Sequence, residues 1–272
     1  MEFVSFLRRV RASRFGLLLN MPRRLFLALR DGKPLFGTLV WVVSSREDTN
    51  YTYDITDRSI QYLAHTISIV TGVAAKEVLK YIREAQSDDA LKGHIIQSLR
   101  EGPYRYHADA RCDFGRRLGW YALVRILKPG IVVETGVDKG FGSVLLCSAL
   151  LRNGSGRLFA TDVNPNAGFL LSGPYASVGT ILYGDSLESL RRIEGPIGLF
   201  ITDSDHSSEY ELAEYEAVQN RLSDNAVVVG DNAQSSSVLM KWSELTNRRF
   251  LYWNEEPTNH WYGVGGIGFS FK

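Results

Sequence analysis

From residue 131 onward the chain alternates between two kinds of segment. Short apolar runs at residues 131–133, 158–161, 180–183, 197–201 and 226–229 are separated by stretches that read as helices. Apolar runs without polar alternation suit strands buried on both faces, and helices between them suit crossover connections. The pattern therefore predicts an α/β fold built on a parallel sheet. Two more runs, at residues 250–253 and 267–271, close the chain with a connection too short for a helical crossover. The last strand is accordingly expected to run antiparallel to its neighbour, in a seven-stranded, mostly parallel sheet with helices on both faces.

Upstream the periodicity is helical. Ile60, Leu63 and Ile67 share a face, as do Val78, Tyr81 and Ile82, and Ser87-Asp88-Asp89 reads as a cap before Leu91, Ile95 and Leu99. Gly102-Pro103 breaks this pattern, and Tyr104-Arg105-Tyr106-His107 forms a basic, aromatic connector. The boundary is placed there: residues 1–104 as a basic arm with a helical appendage, a lid or oligomerisation element, and residues 105–272 as the main domain.

Charge is uneven along the chain. The formal net charge is +1, yet residues 1–35 hold eight Lys or Arg against Glu2 and Asp31, which leaves the remainder about five units acidic. Nucleic acid is thus not an expected partner of the main domain. The basic start reads first as a solvated or dimer-packing arm in a homo-oligomer, and second as an amphipathic helix in peripheral contact with an anionic membrane. The apolar run at residues 35–43 is too short to span a bilayer. Two cysteines, Cys112 and Cys147, make a disulfide framework unexpected and suit a reducing cytoplasm.

The run Ile131-Val132-Val133 leads into Glu134-Thr135-Gly136-Val137-Asp138-Lys139-Gly140-Phe141-Gly142-Ser143, with a helix expected next. Glycines let the backbone approach a ligand, and the helix start offers free N–H groups. Such a turn alone also suits a plain strand-to-helix connection or another nucleotide site. Its spacing imitates the turn of short-chain dehydrogenases, but none of the thirteen tyrosines has the lysine four residues later that their proton transfer needs. The following strand ends narrow the choice. Asp162 stands where a carboxylate accepts ribose hydroxyls, Gly184-Asp185-Ser186 where an adenine edge would lie, and Glu134 where a cationic amino group would meet it.

Two further acidic segments, Thr202-Asp203-Ser204-Asp205-His206 and Gly230-Asp231-Asn232, follow the next two apolar runs. Asp203, Asp231 and Asn232 offer hard oxygen donors suited to Mg²⁺ or another divalent cation, and His206 adds a general base. The plainer reading makes Asp203 a strand terminator and Asp231 a helix cap. Asp205 either orients His206 or begins a cap completed by Ser208 and Glu211. His65, His94 and His107 lie outside this set and read as structural, whereas His260, in Asn259-His260-Trp261-Tyr262, borders the same sheet edge.

These motifs resemble those of the class I S-adenosylmethionine-dependent methyltransferases, over roughly residues 115–272. Glu134 to Ser143 is similar to the family's cofactor loop, Asp162 to its ribose acid and Gly184-Asp185-Ser186 to its adenine segment. Asp203 with Asp231-Asn232 resembles the metal triad of catechol and caffeoyl-CoA O-methyltransferases. The string Asp203-Ser204-Asp205-His206-Ser207 is closest to the macrocin O-methyltransferase and cephalosporin-hydroxylase-like group. The resemblance implies a Rossmann-like sheet that holds S-adenosylmethionine, with Thr135, Gly136, Gly140, Phe141, Gly142 and Ser143 among its contacts. It also implies Mg²⁺-assisted methylation of a small-molecule hydroxyl, sugar or polyketide, with Asp203 and His206 as catalytic residues. The alternatives are a metal-independent N- or O-methyltransferase and a non-catalytic S-adenosylmethionine sensor.

Overall fold

The computed structural model describes residues 33–46, 52–102, 109–231, 233–258 and 265–272. They fall into two compact units, divided after Ser45. The first contributes one described helix, α1 (Lys33–Ser44), whose Leu39, Val40, Val42 and Val43 are exposed. Among the described residues no helix is long and apolar enough to cross a membrane. The basic arm before Lys33, the connector with His107, and Asn232 and His260 lie outside the described residues.

The second unit carries the sheet. It contains β2 (Ile131–Thr135), β3 (Arg157–Asp162), β4 (Gly179–Tyr183), β5 (Ile197–Thr202), β6 (Leu222–Asp231), β7 (Arg249–Asn254) and β9 (Gly266–Phe271), in the order β4-β3-β2-β5-β6-β9-β7. The pairs from β4 through β6 are parallel, and β9 runs antiparallel to both β6 and β7. This is the Rossmann-like mixed sheet expected from the sequence. The short return after β7 leaves no room for a crossover helix, so the last strand reverses into the gap between β6 and β7. All six residues of β9 are buried, and the Ser270 hydroxyl among them accepts from Arg248 Nε at 2.9 Å.

Register brings the functional ends together. Thr135 pairs with both Thr161 and Thr202, Thr202 with Gly230, and Asp162 with Tyr183. The carboxyl ends of β2, β3, β5 and β6 consequently form one edge, where ligands of open α/β sheets bind.

Helices cover both faces. On one side α7 (Ser186–Arg192), α8 (Ser208–Val218) and α9 (Val238–Leu245) contribute Leu190, Tyr215, Val218, Leu239 and Trp242 to a core with Val133, Phe200 and Val228. On the other, α5 (Arg117–Leu127) and α6 (Phe141–Asn153) share a larger core with the helical extension α2 (Asp57–Thr71), α3 (Ala75–Gln86) and α4 (Asp89–Glu101). The faces read from periodicity are largely the buried ones: Ile60, Leu63, Ile67, Val78, Ile82, Leu91, Ile95 and Leu99 are inside, and Tyr81 is half-buried against the same core. Asp88 caps α4 by accepting from Leu91 N–H at 3.0 Å, and the same carboxylate takes Arg152 of α6 at 2.8 Å. Glu84 of α3 accepts from Arg125 Nε and the Tyr121 hydroxyl of α5. A two-residue ribbon, β1 (Asp54–Ile55) with β8 (Pro257–Thr258), ties the start of the extension to the last β connection. Cys112 and Cys147 are free and buried, and burial pushes the Cys112 thiol up to about 12.

Since the extension shares a core with the sheet, the second unit is expected to unfold in one step. Leu63, fully buried over Gly119 of α5, offers the test. Leu63→Ala is expected to cost about 2–5 kcal/mol, read from denaturant midpoints. Far-ultraviolet dichroism and tryptophan fluorescence should shift together; a separate early loss of helix would show the extension to be independent.

Candidate active site

The loop after β2 is shaped by what lies behind its glycines. Gly136 has φ +82°, and a Cβ there would stand 1.9 Å from the carbonyl oxygen of Asp203. Asp203 N–H in turn donates to Thr135 C=O at 2.8 Å, so the loop and the end of β5 are in direct backbone contact. At Gly142, in the first turn of α6, a Cβ would meet Glu134 Oε1 at 2.0 Å. The missing side chain is what admits the Glu134 carboxyl beneath the helix. Glu134 is 1% exposed and accepts the Ser143 hydroxyl at 2.5 Å. Burial pushes its pKa up to about 7, with the Ser143 hydrogen bond only partly opposing it.

Asp162 closes the other side of the loop. One of its oxygens accepts Val137 N–H and Asp138 N–H, both at 2.9 Å, and the other accepts Asn164 N–H at 2.8 Å. Its carbonyl takes Gly184 N–H, which fixes the start of the third segment against the second. Asp185 caps α7 through Glu188 N–H and accepts the Tyr210 hydroxyl at 2.9 Å. Beneath these ends lies Glu214 of α8, fully buried. Its carboxylate accepts hydroxyls from Thr135 of β2, Ser186 of α7 and Ser204 after β5, at 3.0, 2.5 and 2.8 Å. One side chain thereby ties three segments together, while desolvation raises its pKa.

The sequence-predicted acidic pair is brought together, but with an arginine. Arg116, immediately before α5, donates from Nε and Nη2 to the two oxygens of Asp231 at 2.7 and 2.5 Å. Its Nη1 donates to Glu255 at 2.7 Å, and the Tyr53 hydroxyl donates to the second Glu255 oxygen at 2.5 Å. Asp203 lies near Asp231; burial first, and the Asp231 charge second, hold its carboxyl well above the usual range. Among the described residues, the donors do not suit a divalent cation. Both Asp231 oxygens already serve a guanidinium fork, whose charge would repel a metal placed against them. Among the described residues no group of three or more His, Cys, Asp or Glu side chains is arranged to hold a metal ion.

His206 stands at the mouth, with Nδ1 3.5 Å from Glu211 and Nε2 3.8 Å from Asp203. Glu211 is buried, accepts the Ser236 hydroxyl at 2.9 Å and holds the imidazole pKa above its ordinary value. Asp205 accepts Ser207 N–H at 2.8 Å in a local turn. Of the remaining histidines, His65 is exposed on α2, and His94 contacts the Leu170 carbonyl at 3.0 Å.

Sequence reading missed Arg116, Glu214, Glu255 and Tyr53. Glu214 left a signal, because Glu211, Glu214, Tyr215 and Val218 recur at the spacing of one helix face and are all buried. Arg116 left none, since its partners lie 115 and 139 residues away.

A family model described as a methyltransferase domain matches residues 133–233, the span that holds the glycine loop, Asp162, Asp185, Asp203 and Asp231. No curated protein matches the chain by sequence. Among solved structures, a Klebsiella pneumoniae protein assigned to the O-methyltransferases is similar with a TM-score of 0.52 at 16% identity, covering 68% of this chain and 90% of its own. TomG, an O-methyltransferase from Streptomyces achromogenes involved in tomaymycin synthesis and solved with S-adenosylmethionine, gives 0.51 at 19% identity over the same shares. The fold is that of the class I S-adenosylmethionine-dependent methyltransferases, with a broad resemblance to O-methyltransferase-like enzymes and no single close family.

The Glu134 carboxyl makes a pH prediction for the ligand-free protein. Its folded pKa lies above its ordinary value of 4.5, so its stabilising contribution is complete below pH 4.5 and is lost as pH rises through about 7. The loss should amount to roughly 3 kcal/mol. Glu134→Gln should remove that part of the slope in denaturant titrations from pH 4.5 to 8. Parallel slopes for the two proteins would refute the assignment.

Proposed function

We propose that the chain is an S-adenosylmethionine-dependent methyltransferase acting on a hydroxyl or amine of a small molecule, without a divalent cation in its chemistry. The observation that carries this reading is the row of acids around one glycine loop: Glu134, Asp162, Asp185 and Asp203 occupy successive strand ends of a class I methyltransferase fold. The residues suit the cofactor. A buried carboxyl near neutrality at Glu134 can ionise against a cationic amino group. Asp162 has three of its roughly four acceptor directions occupied by loop amides, which leaves one for a ribose hydroxyl unless an amide is released. When bound, S-adenosylmethionine supplies an electrophilic methyl group on a sulfonium.

The chain's own work is positioning and proton removal. A neutral hydroxyl attacks poorly, so holding it in line and taking its proton are the useful contributions. His206 is the proposed acceptor of that proton, with Glu211 behind Nδ1 and Nε2 turned toward Asp203. Asp203, whose carboxyl is held above its usual range, is the proposed hydrogen-bonding partner of the acceptor. The acidic balance of the chain after its basic arm supports a small molecule such as a sugar or polyketide over nucleic acid. We assign the part before residue 105 a lid or oligomerisation role, supported by Tyr53 and Thr56 bonding to Glu255 and Glu256 beside the site.

Titration calorimetry should give one S-adenosylmethionine per chain, weakened at least about tenfold by Asp162→Ala. With a panel of sugar and polyketide alcohols and amines, transfer of labelled methyl should survive EDTA. His206→Ala should lower turnover by roughly 10²–10⁴ with cofactor affinity nearly intact. Activity lost in chelator and restored by Mg²⁺ would overturn the metal-free reading, and absence of cofactor binding would overturn the whole.

A further inference from the structure

Arg116 sits where the acidic strand ends converge, and its surroundings are built to keep it there. The arginine, Asp231, Glu255 and Tyr53 are exposed by only 8, 1, 1 and 1%. The planar fork matches Asp231 on two parallel hydrogen bonds and uses its third nitrogen on Glu255, while Tyr53 holds the far oxygen of Glu255. A lysine, with one point charge, would not reproduce this arrangement. Asp203 adjoins the cluster from the end of β5. Two buried carboxylates thus grip one permanent cation, with Asp203 and Arg117 close by, in a place where charge without a partner would be very costly.

We propose that Arg116 is the resident cation of this crevice, a positioning residue that occupies the place between the strand-end carboxyls which a divalent metal would otherwise take. Removing the guanidinium while keeping the volume should therefore leave the Asp231 and Glu255 carboxylates, with the Asp203 oxygens beside them, as an oxygen-rich site with unbalanced negative charge, which is what a hard cation seeks. The inference deepens the metal-free reading above, but its test reads metal binding alone and can succeed or fail whatever the chain methylates.

Mn²⁺ titration followed by electron paramagnetic resonance compares wild type, Arg116→Met, Arg116→Lys and the double variant Arg116→Met/Asp231→Asn, with folding checked by circular dichroism. Wild type and Arg116→Lys are expected to show no stoichiometric site. Arg116→Met should gain one Mn²⁺ per chain, at least about 100-fold tighter than wild type, and the double variant should lose it. A stoichiometric wild-type site abolished by Asp231→Asn would overturn the proposal, as would a folded Arg116→Met that binds no better than wild type. If Arg116→Met does not fold, the wild-type titration decides: no site upholds the proposal, and an Asp231-dependent site overturns it.

Discussion

A carboxylate taken out of water must find donors nearby, and at one edge of this sheet several have to do so at once. Glu134, Glu211, Glu214, Asp231 and Glu255 are each at most 4% exposed. Leaving any of them without a partner would cost several kcal/mol. Each has a solution: a serine for Glu134, three hydroxyls for Glu214, a serine and an imidazole for Glu211, and one shared arginine for Asp231 and Glu255. The positions of the loop, the strand ends and the acidic segments all follow from these pairings.

The same requirement decides how much of the molecule was legible in its residues. Strands and helix faces depend on local patterning, so the apolar run at 131–133, the face Leu91, Ile95 and Leu99, and the cap at Asp88 were all readable in advance. The antiparallel return of β9 was readable from the length of the preceding connection. The partners of buried charges are a tertiary matter. Asp231 reads as a cation ligand when only its own neighbourhood is known, because the residue that neutralises it comes from 115 positions upstream. Asp162 reads as a ribose acid, and in the folded chain its carboxylate binds the amides of Val137 and Asp138 in the glycine loop. Glu214 lay between these cases, visible as a periodic position but unexpected because it is charged.

The helical extension takes part in this arrangement instead of standing outside it. Its apolar faces complete the core that supports α5 and α6, and its first residues reach the acidic edge through Tyr53. Arg116 then emerges between the two, just before α5. The second unit thus joins its N-terminal and C-terminal ends at the place where its charges meet, at Tyr53 and Glu255.

The contact between Gly136 and the Asp203 carbonyl restricts how such a chain can diverge. With 1.9 Å separating a hypothetical Cβ from that oxygen, the glycine loop and the end of β5 have no slack between them. A substitution that moved the end of β5 to suit a differently shaped ligand would displace the glycine loop as well. New acceptor preferences are therefore easier to acquire through side chains on the flanks of the site than through its floor, and any change at Gly136 would require a compensating change at residues 203–204.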